Sequence, residues 1–192
     1  MKKTVYRTSG ASLVLYLVFD LIFLAIPFVS LPGLIHSFTN GDITYYIGDL
    51  ASLFLVVYLT AHLTTNRIVL SDDSIEIKEA DAKLFYKSRS LQTPFTGIKS
   101  VWLGGKSYLQ DELKYNKQAL AEVKKHYERF ETGRSYKKGK NAPVMPPILL
   151  VEKADEKYFI AGTRPYSKVQ LKSIVDQLAS HGVRTSVQKG TI

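Results

Sequence analysis

The chain has 192 residues, of which 45% are hydrophobic, and it carries a formal net charge of +9. Because it contains no cysteine, disulfide scaffolds, thiolate zinc sites and cysteine nucleophiles are excluded. Its charges are unevenly spread: between residues 11 and 63, histidines aside, the acidic and basic side chains are Asp20, Asp42 and Asp49. This asymmetry argues against a single soluble globule.

Two long apolar segments come first along the chain. Residues 11–35 and residues 43–63 are each long enough to cross a hydrocarbon core of about 30 Å as a helix. The connection between them is too short to hold a folded element. Residues 11–63 are therefore predicted to form an antiparallel hairpin of two transmembrane helices.

Basic residues beside these segments predict their orientation. Lys2, Lys3 and Arg7 precede the first segment and Arg67 follows the second, whereas the connection has neither lysine nor arginine. Since cytoplasmic loops are enriched in these residues, we expect a multi-pass protein of the cell membrane with both termini cytoplasmic.

Two aspartates, Asp20 and Asp49, lie inside the predicted membrane segments. A carboxylate in hydrocarbon costs several kcal/mol and usually faces protein or water. As intramembrane polar residues, they are expected to share a proton or cation, to pair with a basic residue of another subunit, or to contact tyrosine hydroxyls. Another interpretation is that each is protonated and only holds helices together. Two spans shield both carboxyls poorly, so we expect a homo-oligomer or a membrane protein partner.

The chain beyond residue 63 carries the whole net charge. We expect residues 1–10 to be a basic cytoplasmic tail and residues 64–192 to be a cytoplasmic domain. A basic domain is attracted to the negative cytoplasmic leaflet, so anionic membrane lipid accounts for this charge and no nucleic-acid partner is predicted.

The hydrophobic period changes from helical to alternating after residue 64. Two further runs, PILLVEK and KYFIAG, flank the polar turn Ala154-Asp155-Glu156 and predict a hairpin. Ser167 is the predicted N-cap of a helix that ends at Gly182, and the segment VRTSVQ after it is a last short strand or an extension packed on the domain. The first four runs of this part predict a strand meander: NRIVLS, SIEIKE, KLFYKSRS and IKSVWL.

This pattern resembles the bacterial membrane-anchored PH-like domain proteins, small two-span proteins with a C-terminal bacterial PH domain. The resemblance is carried by NRIVLSDDSIEIKE, LQTPFTGIKSVWL and YFIAGTRPYSKVQLKSIVDQL. It implies a mostly-β α+β domain in which a bent antiparallel sheet, or two packed sheets, is capped by a C-terminal helix.

An insertion at about residues 107–147 departs from that pattern. Its first part predicts an amphipathic helix that packs on its own domain, docks to a partner, or lies on a membrane surface. Its second part is a basic loop predicted to bind lipid, with Arg134, Lys137, Lys138 and Lys140. The candidate partner-binding face of the helix consists of Leu113, Leu120, Val123, Tyr127 and Phe130.

No catalytic signature is present in the sequence. The four histidines lie far apart without metal-ligand spacing, no nucleophile elbow occurs, and no pair of domain carboxylates is marked as acid and base. We therefore predict no enzyme activity, no cofactor and no metal.

The function predicted from these features is that of a non-enzymatic, membrane-anchored binding or scaffold protein that presents a PH-like domain at the cytoplasmic membrane face. The resemblance further implies a role in envelope stress or in resistance to membrane-active peptides, as in bacteriocin immunity. The alternative is a subunit of an oligomeric transporter or channel that uses Asp20 and Asp49.

Overall fold

A computed structural model of the chain describes residues 3–9, 13–25, 44–80, 88–132 and 146–192. Within these ranges the chain forms two four-stranded sheets and five helices. The sheets enclose the main core, and two helices of the insertion cover the outer face of the second sheet.

The first sheet is antiparallel, with the strand order β1-β2-β3-β4. Its first strand comes from the segment predicted to be a basic tail, and it pairs with β2 so that Arg7 lies opposite Arg67. Tyr6 of this strand is 6% exposed and its hydroxyl lies 2.8 Å from Ser173 Oγ, so the N-terminal segment belongs to the domain. The strands are β1 (Thr4–Arg7), β2 (Arg67–Leu70), β3 (Ser74–Ala80) and β4 (Ser88–Pro94).

Two helices lie between β1 and β2 in the chain: α1, described over residues 13–25, and α2 (Thr44–Thr65). The sequence of α2 includes Asp49 and His62. Among the residues the structure describes, no helix combines the length and apolarity needed to cross a membrane. This finding contradicts the predicted transmembrane hairpin, the membrane anchor and the multi-pass cell-membrane location with cytoplasmic termini.

The second sheet has the order β7-β6-β5-β8. The predicted hairpin is present as β6 and β7, but the predicted four-strand meander is divided, because a 3-10 turn at Phe95–Gly97 sends β5 into this second sheet. The last strand, β8, pairs with β5 in parallel, so the sheet is mixed. The strands are β5 (Ile98–Gly104), β6 (Ile148–Lys153), β7 (Tyr158–Gly162) and β8 (Arg184–Val187).

The helix after β7 closes the main core. Ser167 caps it as predicted, with a reciprocal capping box to Gln170, and Gly182 follows it with a φ of +81°, a conformation that favours glycine. Val169 in its first turn is 79% exposed. We call this helix α5 (Lys168–Ser180); it buries Leu171, Ile174, Val175 and Leu178.

The insertion forms α3 (Lys106–Glu112) and α4 (Lys117–Thr132). Their apolar faces form a second core against the outer face of the second sheet, where Ile148, Leu150 and Ile160 project. This sheet is therefore covered on both faces, except at the end where α3 turns into α4.

Candidate polar pocket on the second sheet

A β-bulge in β5 brings polar side chains to the outer face of the second sheet. The pairing of β5 with β6 shifts between Ile98 and Ser100, which leaves Lys99 as the extra residue. Ile98 and Val101 both join the main core. Lys99 and Ser100, between them, both contact Glu152 on the other face.

Glu152 is a buried carboxylate at the centre of this polar group, with a side chain that is 3% exposed. Ser100 Oγ donates a hydrogen bond of 2.5 Å to Oε2, and Lys99 Nζ lies 3.0 Å from Oε1. The Tyr158 hydroxyl donates a longer bond of 3.3 Å to Oε1 and itself accepts one of 3.0 Å from Asn116 Nδ2. Three donors from two strands, β5 and β7, therefore hold one carboxylate.

These contacts determine the protonation state of the pair. Burial acts to raise the pKa of the Glu152 carboxyl, but the hydrogen bonds from Ser100 and Lys99 outweigh it, and the pKa lies below its usual value. The hydrogen bond to Glu152 raises the pKa of Lys99. Glu152 and Lys99 are therefore both charged at neutral pH.

A pocket of about 320 Å³ opens beside this carboxylate. Its floor follows one row across the sheet, because Glu152 and Arg184 are both paired with Ser100 in the strand register. Trp102, the single tryptophan of the chain, lies two residues further along β5 and is half-buried. The last residue of α3 and the turn before α4 contribute the remaining wall, with Glu112, Leu113, Tyr115 and Asn116.

Hydrogen bonds to the second sheet fix that wall in place. The Tyr108 hydroxyl of α3 lies 2.7 Å from Ser186 Oγ on β8, and Ser186 Oγ donates a bond of 3.3 Å to Glu112. Asn116 accepts a bond of 3.0 Å from the backbone N–H of Ala119 and so caps the start of α4. The pocket is thus built between anchored elements.

The predicted partner-binding stripe faces the domain itself. Leu113, Val123 and Tyr127 are at most 2% exposed and Leu120 is half-buried, while the side chain of Phe130 lies outside the described residues. This is the arrangement of a helix that packs on its own domain. A partner would reach these side chains only if the helix left the sheet.

The predicted lipid-binding residues Arg134, Lys137, Lys138 and Lys140 lie outside the described residues. Asp20 accepts a hydrogen bond of 3.3 Å from Thr60 Oγ1 of α2. Asp49 lies eleven residues before Thr60 on the same helix. The side chain of Asp49 lies outside the described residues, so its relation to Asp20 stays a prediction.

Sequence reasoning missed the pocket residues Lys99, Ser100, Glu152 and Arg184. Two signals were present: IKSVWL departs from strict alternation, which is typical of a bulge, and a glutamate ends the apolar run ILLV. No comparable signal brings Arg184 to Ser100, because the parallel pairing of β8 joins residues 84 positions apart.

Comparison with known proteins adds no relative. No protein-family model, curated protein or solved structure matches this chain. Among the described residues, no group of three or more His, Cys, Asp or Glu side chains is arranged to hold a metal ion.

Proposed function

We propose that this chain is a non-enzymatic binding or scaffold protein whose PH-like domain holds a protein partner at the pocket beside Glu152. The observation that carries the proposal is a fixed polar group next to an open, aromatic-lined pocket. Pockets that combine apolar walls with a few held polar groups are typical of recognition sites.

The state of Glu152 favours binding over catalysis. A general base needs a pKa near the working pH, whereas the pKa of this carboxyl is lowered and all its contacts are to donors of the same domain. Its role is to position Ser100, Lys99 and Tyr158. The envelope-stress or immunity role that the PH-like resemblance implies stays a prediction.

Site-specific photocrosslinking tests the proposal. Tyr115 at the pocket wall is 89% exposed, so a photoreactive phenylalanine at this position should give a discrete crosslinked protein in native cells. The matched control is the same residue at Val169, which is 79% exposed on α5. The proposal fails if position 115 gives no adduct, or if positions 115 and 169 give the same adducts.

A further inference from the structure

One cationic side chain of the pocket, that of Arg184, has no partner among the described residues. Arg184 is exposed and lines the pocket, and its guanidinium makes no hydrogen bond or ion pair with any residue that the structure describes. Arg184 is paired with Ser100 across β8 and β5, so it lies on the strand next to the one that carries Lys99. Guanidinium groups bind carboxylates in a bidentate geometry.

The other charges of the pocket are engaged. Lys99 neutralises Glu152 at 3.0 Å, although its side chain is 61% exposed and the ammonium has further donors that face solvent. Glu112 on the opposite wall accepts a hydrogen bond from Ser186. This hydrogen bond does not neutralise Glu112, so an anionic ligand is disfavoured at that wall. The cationic donors that face the pocket are those of Arg184 and the outer side of Lys99, and an anion is favoured on their side of it.

Two aromatic side chains add an apolar surface to this anion site. Trp102 is half-buried on the floor, and Tyr115 projects from the wall. A ligand that offers a carboxylate next to an apolar or aromatic group would use both features. The net charge of +9 favours the approach of an acidic partner as well.

We propose that the pocket binds an acidic segment of a protein partner, with a carboxylate on Arg184 and Lys99 and a neighbouring apolar side chain against Trp102. This inference rests on the proposed binding function and names the class of partner. It predicts that the negative charge of the ligand and the guanidinium of Arg184 contribute most of the affinity.

Peptide titrations of the purified full chain test the inference. The probes are acetylated, amidated pentapeptides: Gly-Glu-Glu-Phe-Gly, its Gln-Gln analogue and its Lys-Lys analogue. None contains tryptophan, so a change in emission reports on Trp102. We expect the acidic peptide to bind at least tenfold more tightly than the other two, and less tightly as salt rises.

Two variants give the matched comparison. Arg184→Gln should weaken binding of the acidic peptide about tenfold, whereas Arg7→Gln, an exposed strand arginine of the first sheet, should leave it unchanged. Equal affinity for the acidic and neutral peptides, or an unchanged affinity of Arg184→Gln, would overturn the inference.

The crosslinking outcome separates the two proposals. If position 115 crosslinks a partner while the three peptides bind equally, the acidic class is wrong and the binding function stands. If no peptide binds and no adduct forms, both are wrong.

Discussion

Glu152 is a charged residue with a buried side chain, and its hydrogen-bond donors explain why the fold accommodates it. A buried carboxylate costs several kcal/mol unless donors replace its water. Ser100 and Tyr158 supply neutral donors, and Lys99 supplies a charge whose other side remains in solvent. The pair is thus only half-removed from water, which limits the desolvation penalty of the lysine.

Glu152→Gln should lower stability at neutral pH by about 1–2 kcal/mol, because the amide replaces a charged acceptor of three hydrogen bonds. The pKa of Glu152 is lowered in the folded state from 4.5. Its contribution is therefore complete above about pH 5 and is lost as the pH falls through the folded value. Chemical denaturation at pH 7 and pH 3 should show the difference between the two proteins shrinking in acid.

The control for this comparison is Asp176→Asn, which removes an exposed i,i+4 pair with Lys172. It should cost no more than about 0.5 kcal/mol at neutral pH. Hydrogen bonds from Lys157 and Lys153 lower the pKa of Asp155 to about 2, but this group titrates equally in all three proteins and cancels. A Glu152→Gln difference that stayed constant with pH would assign the effect to packing.

At the scale of the element, the bulge of β5 is the feature that creates the pocket. Without Lys99, the sequence Ile98-Ser100-Val101-Trp102 alternates strictly between the core face and the outer face. Deletion of Lys99 should therefore leave a regular strand and a folded domain, which is less stable because Glu152 loses its cationic partner, while binding at the pocket is lost. Thermal unfolding and the Trp102 titration measure the two effects separately.

Deletion of Trp102 is the matched control in the same strand. It would place Val101 next to Leu103, two residues that both belong in the main core, and so turn one of them outward. This variant should be destabilised by several kcal/mol. If both deletions unfold the domain equally, the bulge is required for the fold as well as for the pocket.

Local features of the fold could be predicted from the sequence, and distant pairings could not. The Ala154–Glu156 turn and the Ser167 cap depend on neighbouring residues, and both are present. The entry of β5 into a second sheet and the addition of β8 depend on contacts between remote segments. The length and apolar composition of residues 11–63 predicted a membrane hairpin, and this prediction was wrong. Length and composition do not show what a helix packs against in the folded protein.

The residues of the candidate site also fall into those with a local sequence signal and those placed by distant strand pairing. Lys99 and Ser100 lie in a run whose broken alternation is visible in the sequence, so a bulge there could have been predicted. Glu152 and Arg184 reach them only through the strand order of the second sheet. Neither charge has a local marker that distinguishes it from a solvated strand residue.

For the whole molecule, the position of β1 determines what a minimal domain must contain. A chain of residues 66–192 lacks β1 and its buried Tyr6, whereas a chain in which residues 11–64 are replaced by four Gly and Ser residues keeps both. We expect the second to be more stable by about 3 kcal/mol, because loss of a buried aromatic side chain costs about 3–5 kcal/mol. Urea unfolding of the two proteins measures this; equal stability would mean that β1 contributes nothing.

The long connection between β1 and β2 also affects how readily β1 docks and opens. About 59 residues separate Arg7 from its partner Arg67, and closing a loop of n residues costs about (3/2)RT ln n. Reducing that loop to about nine residues would lower the free-energy cost of loop closure by about 1.7 kcal/mol. In the natural chain we therefore expect β1 to dock late and to open early, which exposes a groove along β2 and α5 where Tyr6 is otherwise buried.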